Sequence, residues 1–134
     1  MTSTDARNRL EPLLGTELGT GEWSLLSHDR ISMFADAVGR SDEEIPVVML
    51  LSLIPGLTSM IKLPIDPPRT AVNYGVDTCR PGKPARAGDR LRARMTLLAI
   101  EQSDTWLQLK RRVILENEAG EPVLEADTVT RLYW

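Results

Sequence analysis

The chain has 134 residues, a length that suits one domain with a real core and leaves no room for two. Its 42% hydrophobic and 26% charged residues are ordinary for a globular protein, and a net charge of −3 gives no electrostatic reason to expect nucleic acid or an anionic membrane as partner. A single cysteine, Cys79, excludes an internal disulfide and a thiolate zinc site. With an N-terminus lacking the apolar run of a signal peptide, the expectation is a cytoplasmic protein with no metal and no cofactor.

Residues 1–9 are polar and are expected to be flexible or loosely docked. Leu10 to Leu14 reads as a short helix stopped by Gly15, and Glu22 to Leu26 as a short strand. Ser27 is a good helix cap, Ile31, Phe34, Ala35 and Val38 recur at helical spacing, and Gly39 supplies a stop; this predicts a helix from His28 to Val38. A short polar link, Gly39 to Glu44, leads into Ile45–Leu57, apolar on nearly every side. That segment is too short to span a bilayer and reads as a helix buried all round, starting at Pro46, running towards Lys62, and kinked or broken at Pro55.

Leu63 to Pro68, with three prolines, cannot be helix. The periodicity then becomes alternating. Thr70 to Cys79 places Val72, Tyr74 and Val76 on one face. Leu91, Ala93, Met95, Leu97 and Ala99 alternate with Arg92, Arg94 and Thr96. Leu107, Leu109 and Val113 oppose Gln108, Lys110 and Arg112, and a last strand carries Leu124, Ala126, Thr128, Thr130 and Leu132. The sum is an α+β domain occupying residues 1–134, an antiparallel sheet curling around one central helix.

That order of segments resembles the MaoC-like branch of the hot-dog fold. The words that carry the likeness are Val72-Asn-Tyr-Gly-Val-Asp77, Arg80-Pro81, Pro84 and Gly88-Asp-Arg-Leu-Arg92. Arg30–Gly39 is similar to the family's first helix, Met49–Leu57 to its central one, and Ala126–Trp134 to its last strand. The resemblance implies an enoyl-thioester hydratase or dehydratase, working with an Asp and a His between the two helices. It also implies sheets shared across a dimer seam. Here Gly39-Arg40 stands where the family has Gly-Asp, the family's Asn-Pro-x-His portion has no counterpart, and Val47-Val48 replaces His-Gly. Proton transfer needs a group of suitable pKa within hydrogen-bond reach, so the usual chemistry lacks its carriers.

The remaining candidates divide by role. Asp42, Glu43 and Glu44 could act as acid or base, or be a solvated acidic lead-in to the helix. Tyr74 is the catalytic candidate on the strands, weighed against a core aromatic with its hydroxyl satisfied. Trp23, Met33, Met49, Ser52 and Asn73 are candidate substrate contacts, with Met60 as a further lining residue, although methionine and tryptophan are commonly plain packing. His28, beside the helix cap, Cys79, next to Arg80, and Arg40 have bland readings that outweigh chemical ones. Arg90, Arg92 and Arg94, with Arg111 and Arg112, could greet a phosphopantetheine or simply make a solvated sheet face.

Three functions are compatible with these residues. One is a repurposed enzyme that orients a long acyl or polyketide-like substrate for cyclisation without a strong acid or base. Another is a non-catalytic subunit completing a competent MaoC-like partner. The third is an atypical hydratase using Asp42, Glu43 or Glu44. The expected ligand is a small molecule or acyl thioester, and the expected assembly a homodimer or larger homo-oligomer.

Overall fold

The computed structural model describes residues 1–40 and 45–134. The residues at 41–44, which include the candidates Asp42, Glu43 and Glu44, lie outside the described residues. The chain opens with α1 (Ser3–Leu10) and a 3₁₀ turn (Glu11–Leu13), followed by β1 (Glu17–Thr20) and β2 (Ser24–Leu25). Next come α2 (His28–Val38) and α3 (Val47–Thr58), then four long strands, β3 (Thr70–Pro81), β4 (Arg90–Gln102), β5 (Leu107–Asn117) and β6 (Pro122–Tyr133). All pairings are antiparallel, in the order β1-β4-β5-β6-β3, with β2 also on β4.

The long strands fold as their alternation predicts. Helix α2 also has the expected limits: the Ser27 hydroxyl accepts from the Arg30 amide at 3.1 Å, and Gly39 adopts the left-handed conformation, φ 72°, that ends the helix.

Elsewhere the structure corrects the expectations. Residues 3–10 are not loosely docked. Thr2 and Asp5 form a reciprocal capping box, and Ala6 and Leu10, one turn apart, are fully buried with Leu97, Leu107, Leu109 and Leu132. Burying the two apolar residues against the β4–β5 end of the sheet is what orders an otherwise polar helix. Strand β1 was not expected at all; it pairs with Thr96, Met95 and Arg94 of β4.

Helix α3 is not buried all round. Met49, Leu50, Ile54 and Leu57, at helical spacing, enter the main core with Leu91, Ala93, Met95, Val113, Leu115 and Ala126. Val48, Ser52, Pro55 and Gly56 stay exposed. The sheet curls over one side of α3 only. The helix also continues through Pro55 to Thr58 instead of breaking.

The outer face of the sheet is laced by ion pairs. Arg92 reaches Glu116 at 2.7 Å, Arg94 reaches Glu17 at 3.0 Å, Lys110 pairs with Asp77, and Arg112 holds Asp127 at 2.9 and 3.1 Å with Glu125 nearby. The Arg112 guanidinium, hydrogen-bonded to the carboxylate, holds the Asp127 pKa below its ordinary value. A lowered folded-state pKa stabilises the protein above the unfolded carboxylate's pKa, and that contribution disappears as pH falls through the folded value. Urea midpoints should therefore separate wild type from Asp127→Asn at pH 7 by up to about 1 kcal/mol, because Arg112 is half-exposed. The gap should narrow as pH falls below the unfolded carboxylate's pKa of about 3.9 and close only below the lowered folded value.

Candidate active site

Two hollows flank the exposed side of α3. The first, about 410 Å³, is lined by Glu22, Trp23, Ser24 and Arg30 together with Ser52, Leu53, Gly56, Leu57, Ser59 and Met60 of α3 and its end. Within it Arg30 Nη1 donates to Ser24 Oγ at 3.0 Å and to the Leu25 carbonyl at 2.8 Å, and the Glu22 carboxylate is part of the lining. Arg92 stacks on the Trp23 ring, 4.4 Å from its centroid.

The second, about 320 Å³, lies between α3 and the sheet. One stripe of α3 faces it, Val48, Leu51, Ser52, Pro55 and Thr58, with Ile54 at its floor. The opposite wall is Asn73, Gly75 and Val76 of β3, Thr128, Val129 and Thr130 of β6, and Arg111 of β5. Apolar walls with a few convergent polar groups are the usual make-up of a small-molecule site. Among the described residues that line it there is no carboxylate and no imidazole. Ser52 sits on the ridge shared by both hollows, its hydroxyl donating to the Met49 carbonyl at 2.6 Å.

The candidate residues are dispersed by this geometry. Asn73 and Ser52 line the second hollow, and Trp23, Met60 and Ser52 the first. Met49 is 2% exposed and belongs to the core; Met33 is 72% exposed on α2 and lines neither hollow. Tyr74 also lines neither. It is exposed on the outer face of the sheet, its ring over the Arg131 guanidinium at 3.6 Å, with Trp106 on the same cation at 4.1 Å. The reason is pairing: β3 carries irregularities between Asn73 and Gly75 and between Val76 and Thr78, so Val72, Tyr74 and Val76 do not keep a common face. Cys79 is a free, exposed thiol on the same strand, and the His28 ring lies 3.5 Å from the Ser32 hydroxyl, away from both hollows.

Arg111 is the residue that sequence reading placed on the wrong side. It does not join Arg112 on the outer face; it projects inward to the second hollow, where Nη2 donates to Thr130 Oγ1 at 2.7 Å. Its Nε is sealed from solvent with no hydrogen-bond partner among the described residues, and burial pulls its pKa below the ordinary arginine value. The signal was present: positions 107, 109, 111, 113 and 115 are in phase, and the other four are Leu, Leu, Val and Leu.

No protein-family model matches the chain, and no curated protein does. Solved structures do. A monoamine oxidase regulatory protein from Archaeoglobus fulgius superposes with a TM-score of 0.74 at 14% identity, covering 90% of each chain. A MaoC-like dehydratase from Rhodospirillum rubrum gives 0.72 at 19% identity over 92% of this chain and 95% of the other. This chain has the hot-dog fold. The (R)-hydratase of A. caviae involved in PHA biosynthesis, with a TM-score of 0.61 at 17% identity over 89% and 96%, shares the same architecture. A hot-dog domain thus accounts for the curled sheet, the helix it encloses on one side and the cavity between α3 and β3. Among the described residues no helix is long and apolar enough to cross a membrane, and no group of three metal-binding side chains gathers.

Proposed function

We propose that this hot-dog protein seats an acyl or polyketide-like substrate in the cavity between α3 and the β3–β6 wall. It promotes cyclisation, or a related reaction, by orientation and exclusion of water. One observation carries this reading: the described lining of the cavity offers apolar surface, hydroxyls, an amide and an arginine, and neither a carboxylate nor an imidazole. Intramolecular reactions gain most from being held in a reactive shape, and a dry apolar wall holds a chain without needing a proton carrier. Leu51, Ile54, Pro55 and Val129 supply that wall, and the first-turn amides of α3, beginning at Val47 next to Val48, supply the positive end of a helix dipole.

The test compares two chemistries. Purified protein should cyclise a synthetic poly-β-keto thioester, read as a mass-spectrometric product absent from a protein-free control. It should leave a crotonyl thioester unhydrated. Asp42→Asn and Glu44→Gln should leave the cyclisation rate within about twofold, because the barrier here is lowered by positioning and not by those carboxyls. Rapid crotonyl hydration abolished by either substitution would replace this reading with the hydratase one.

A second reading, a non-catalytic subunit of a MaoC-like partner, draws on β3. All twelve of its residues are exposed, and it stands at the edge of the sheet with the large hydrophobic residues Val72, Tyr74 and Val76 about half-exposed. Long exposed edges invite pairing. Solved neighbours include the HadBC 3R-hydroxyacyl-ACP dehydratase complex and the ChsH1-ChsH2 complex, both from Mycobacterium tuberculosis. Sedimentation of the isolated chain separates the cases: a stable homodimer supports the first reading, and a monomer stabilised only by a MaoC-like protein supports the second.

A further inference from the structure

Every other arginine of β4, β5 and β6 that makes a side-chain contact has its charge answered on the outer face. Arg92, Arg94 and Arg112 each meet a carboxylate, and Arg131 lies between two aromatic rings with its Nε on Gln108 at 2.8 Å. Arg111 differs in direction and in company. It faces the cavity, the one hydrogen bond of its guanidinium among the described residues goes to a neutral hydroxyl, and no described carboxylate pairs with it. A guanidinium stays protonated in a protein and presents five donors in a planar fork. Leaving that charge without a counter-charge among Leu51, Ile54, Val76 and Val129 is costly, and packing alone would favour an apolar residue at the position.

We infer that Arg111 is the recognition group for a delocalised oxygen anion on the bound molecule. The preferred ligand is then an apolar chain bearing a carboxylate or the enolate of a β-dicarbonyl unit. This deepens the proposed function, on which it rests, by fixing which end of the substrate enters towards β5. The fork matches both anions, since each spreads one negative charge over two oxygens in a plane. Thr130 holds one arm of the fork through Nη2, and with Nε sealed from solvent it is the terminal Nη1 and Nη2 edge that is offered to the ligand. Val48, Leu51 and Pro55 on α3 receive the chain.

The experiment titrates full-length protein calorimetrically with octanoate and with octanamide, which has the same shape and no charge. Octane-2,4-dione forms a third arm, in which near-ultraviolet absorption reports the enolate. Octanoate is expected to bind at least about tenfold tighter than octanamide, the scale of a hydrogen bond to a charged group. Octanoate should also shift one arginine side-chain NMR resonance that is missing in Arg111→Lys. Arg111→Met should erase the preference for octanoate while still binding octanamide, and Arg111→Lys should retain part of it. Enolate absorption on binding of the diketone, lost in Arg111→Met, assigns the enolate source as well; its absence with octanoate preference intact leaves the carboxylate as the recognised group. Equal binding of octanoate and octanamide by the wild type, or a preference that survives in Arg111→Met, overturns the inference and leaves the cavity's role standing. Failure of all three probes to bind overturns both. Because the wild-type comparison needs no variant, a substitution that unfolds the chain cannot rescue the idea.

Discussion

A leucine at position 75 should close the cavity to ligand while leaving the fold intact. Gly75 lies on β3, two residues from Asn73, and both line the hollow against α3. It needs no left-handed conformation, and a Cβ built on it meets nothing within 4 Å. The missing side chain therefore leaves usable space, and a leucine there would take a large part of a cavity of about 320 Å³. Strand positions favour branched apolar residues over glycine, so thermal stability should hold or rise. Octanoate affinity should drop by at least about 50-fold, equivalent to roughly 2.3 kcal/mol. Cyclisation of the poly-β-keto thioester should vanish with it. Gly75→Ala, adding one methyl, should lose far less. If Gly75→Leu binds and turns over like wild type, the substrate does not use this cavity. The first hollow, beside Trp23 and Arg30, would then be the place to look.

What could be read from the sequence follows what is local. Helix α2 is fully legible because Ser27 and Gly39 terminate it through their own backbone geometry, and β4 to β6 because alternation over eleven or more residues outweighs any local preference. Helix α1 was hidden by its polarity, although Thr2 and Asp5 spell a capping box and Ala6 and Leu10 share a face. A short amphipathic segment declares itself only through the surface it docks on, here the β4–β5 end of the sheet. For α3 the error was one of degree. An all-apolar helix suggests burial on every side, yet this one leaves Val48 56% exposed on the flank that forms the cavity.

The candidate site was less legible, for two physical reasons. Tyr74 and Asn73 are neighbours in the chain, but only one can face the helix, and pairing irregularities in β3 decide which. Register of that kind is set by the partner strand, β6, some fifty residues away. Arg111 was obscured by its neighbours, since Lys110-Arg111-Arg112 looks like a uniformly charged surface run. Strand geometry splits the run: Lys110 and Arg112 meet Asp77 and Asp127 outside, and Arg111 turns inward. The plan of the fold, a helix laid against a curled sheet, could be read without either detail; the make-up of the cavity depends on both.

Glycine decides one further point, how closely the chain can pass the end of α3. At Gly21, between β1 and β2, the amide donates to the Ala93 carbonyl at 2.8 Å, tying the link to β4. A Cβ at that position would fall 2.1 Å from the Leu57 carbonyl oxygen, well inside contact distance and against backbone that cannot rotate away. Gly21→Ala must therefore break the bond to Ala93 or push out the last turn of α3. That turn carries Leu57 into the core with Leu50, Ile54 and Met95. The expected cost is about 3 kcal/mol, at the upper end for overpacking, with distortion of the hollow that Leu57 helps to line. Gly56→Ala is the matched control. Position 56 lies one residue from Leu57 inside the helix, and a Cβ there meets nothing within 4 Å, so alanine should stabilise by roughly 0.5–1 kcal/mol. Urea melts of the two variants should thus move in opposite directions from wild type. A Gly21→Ala midpoint equivalent to wild type within about 0.5 kcal/mol would mean that α3 is not held against this link, and the wall it gives to both hollows would have to be redrawn.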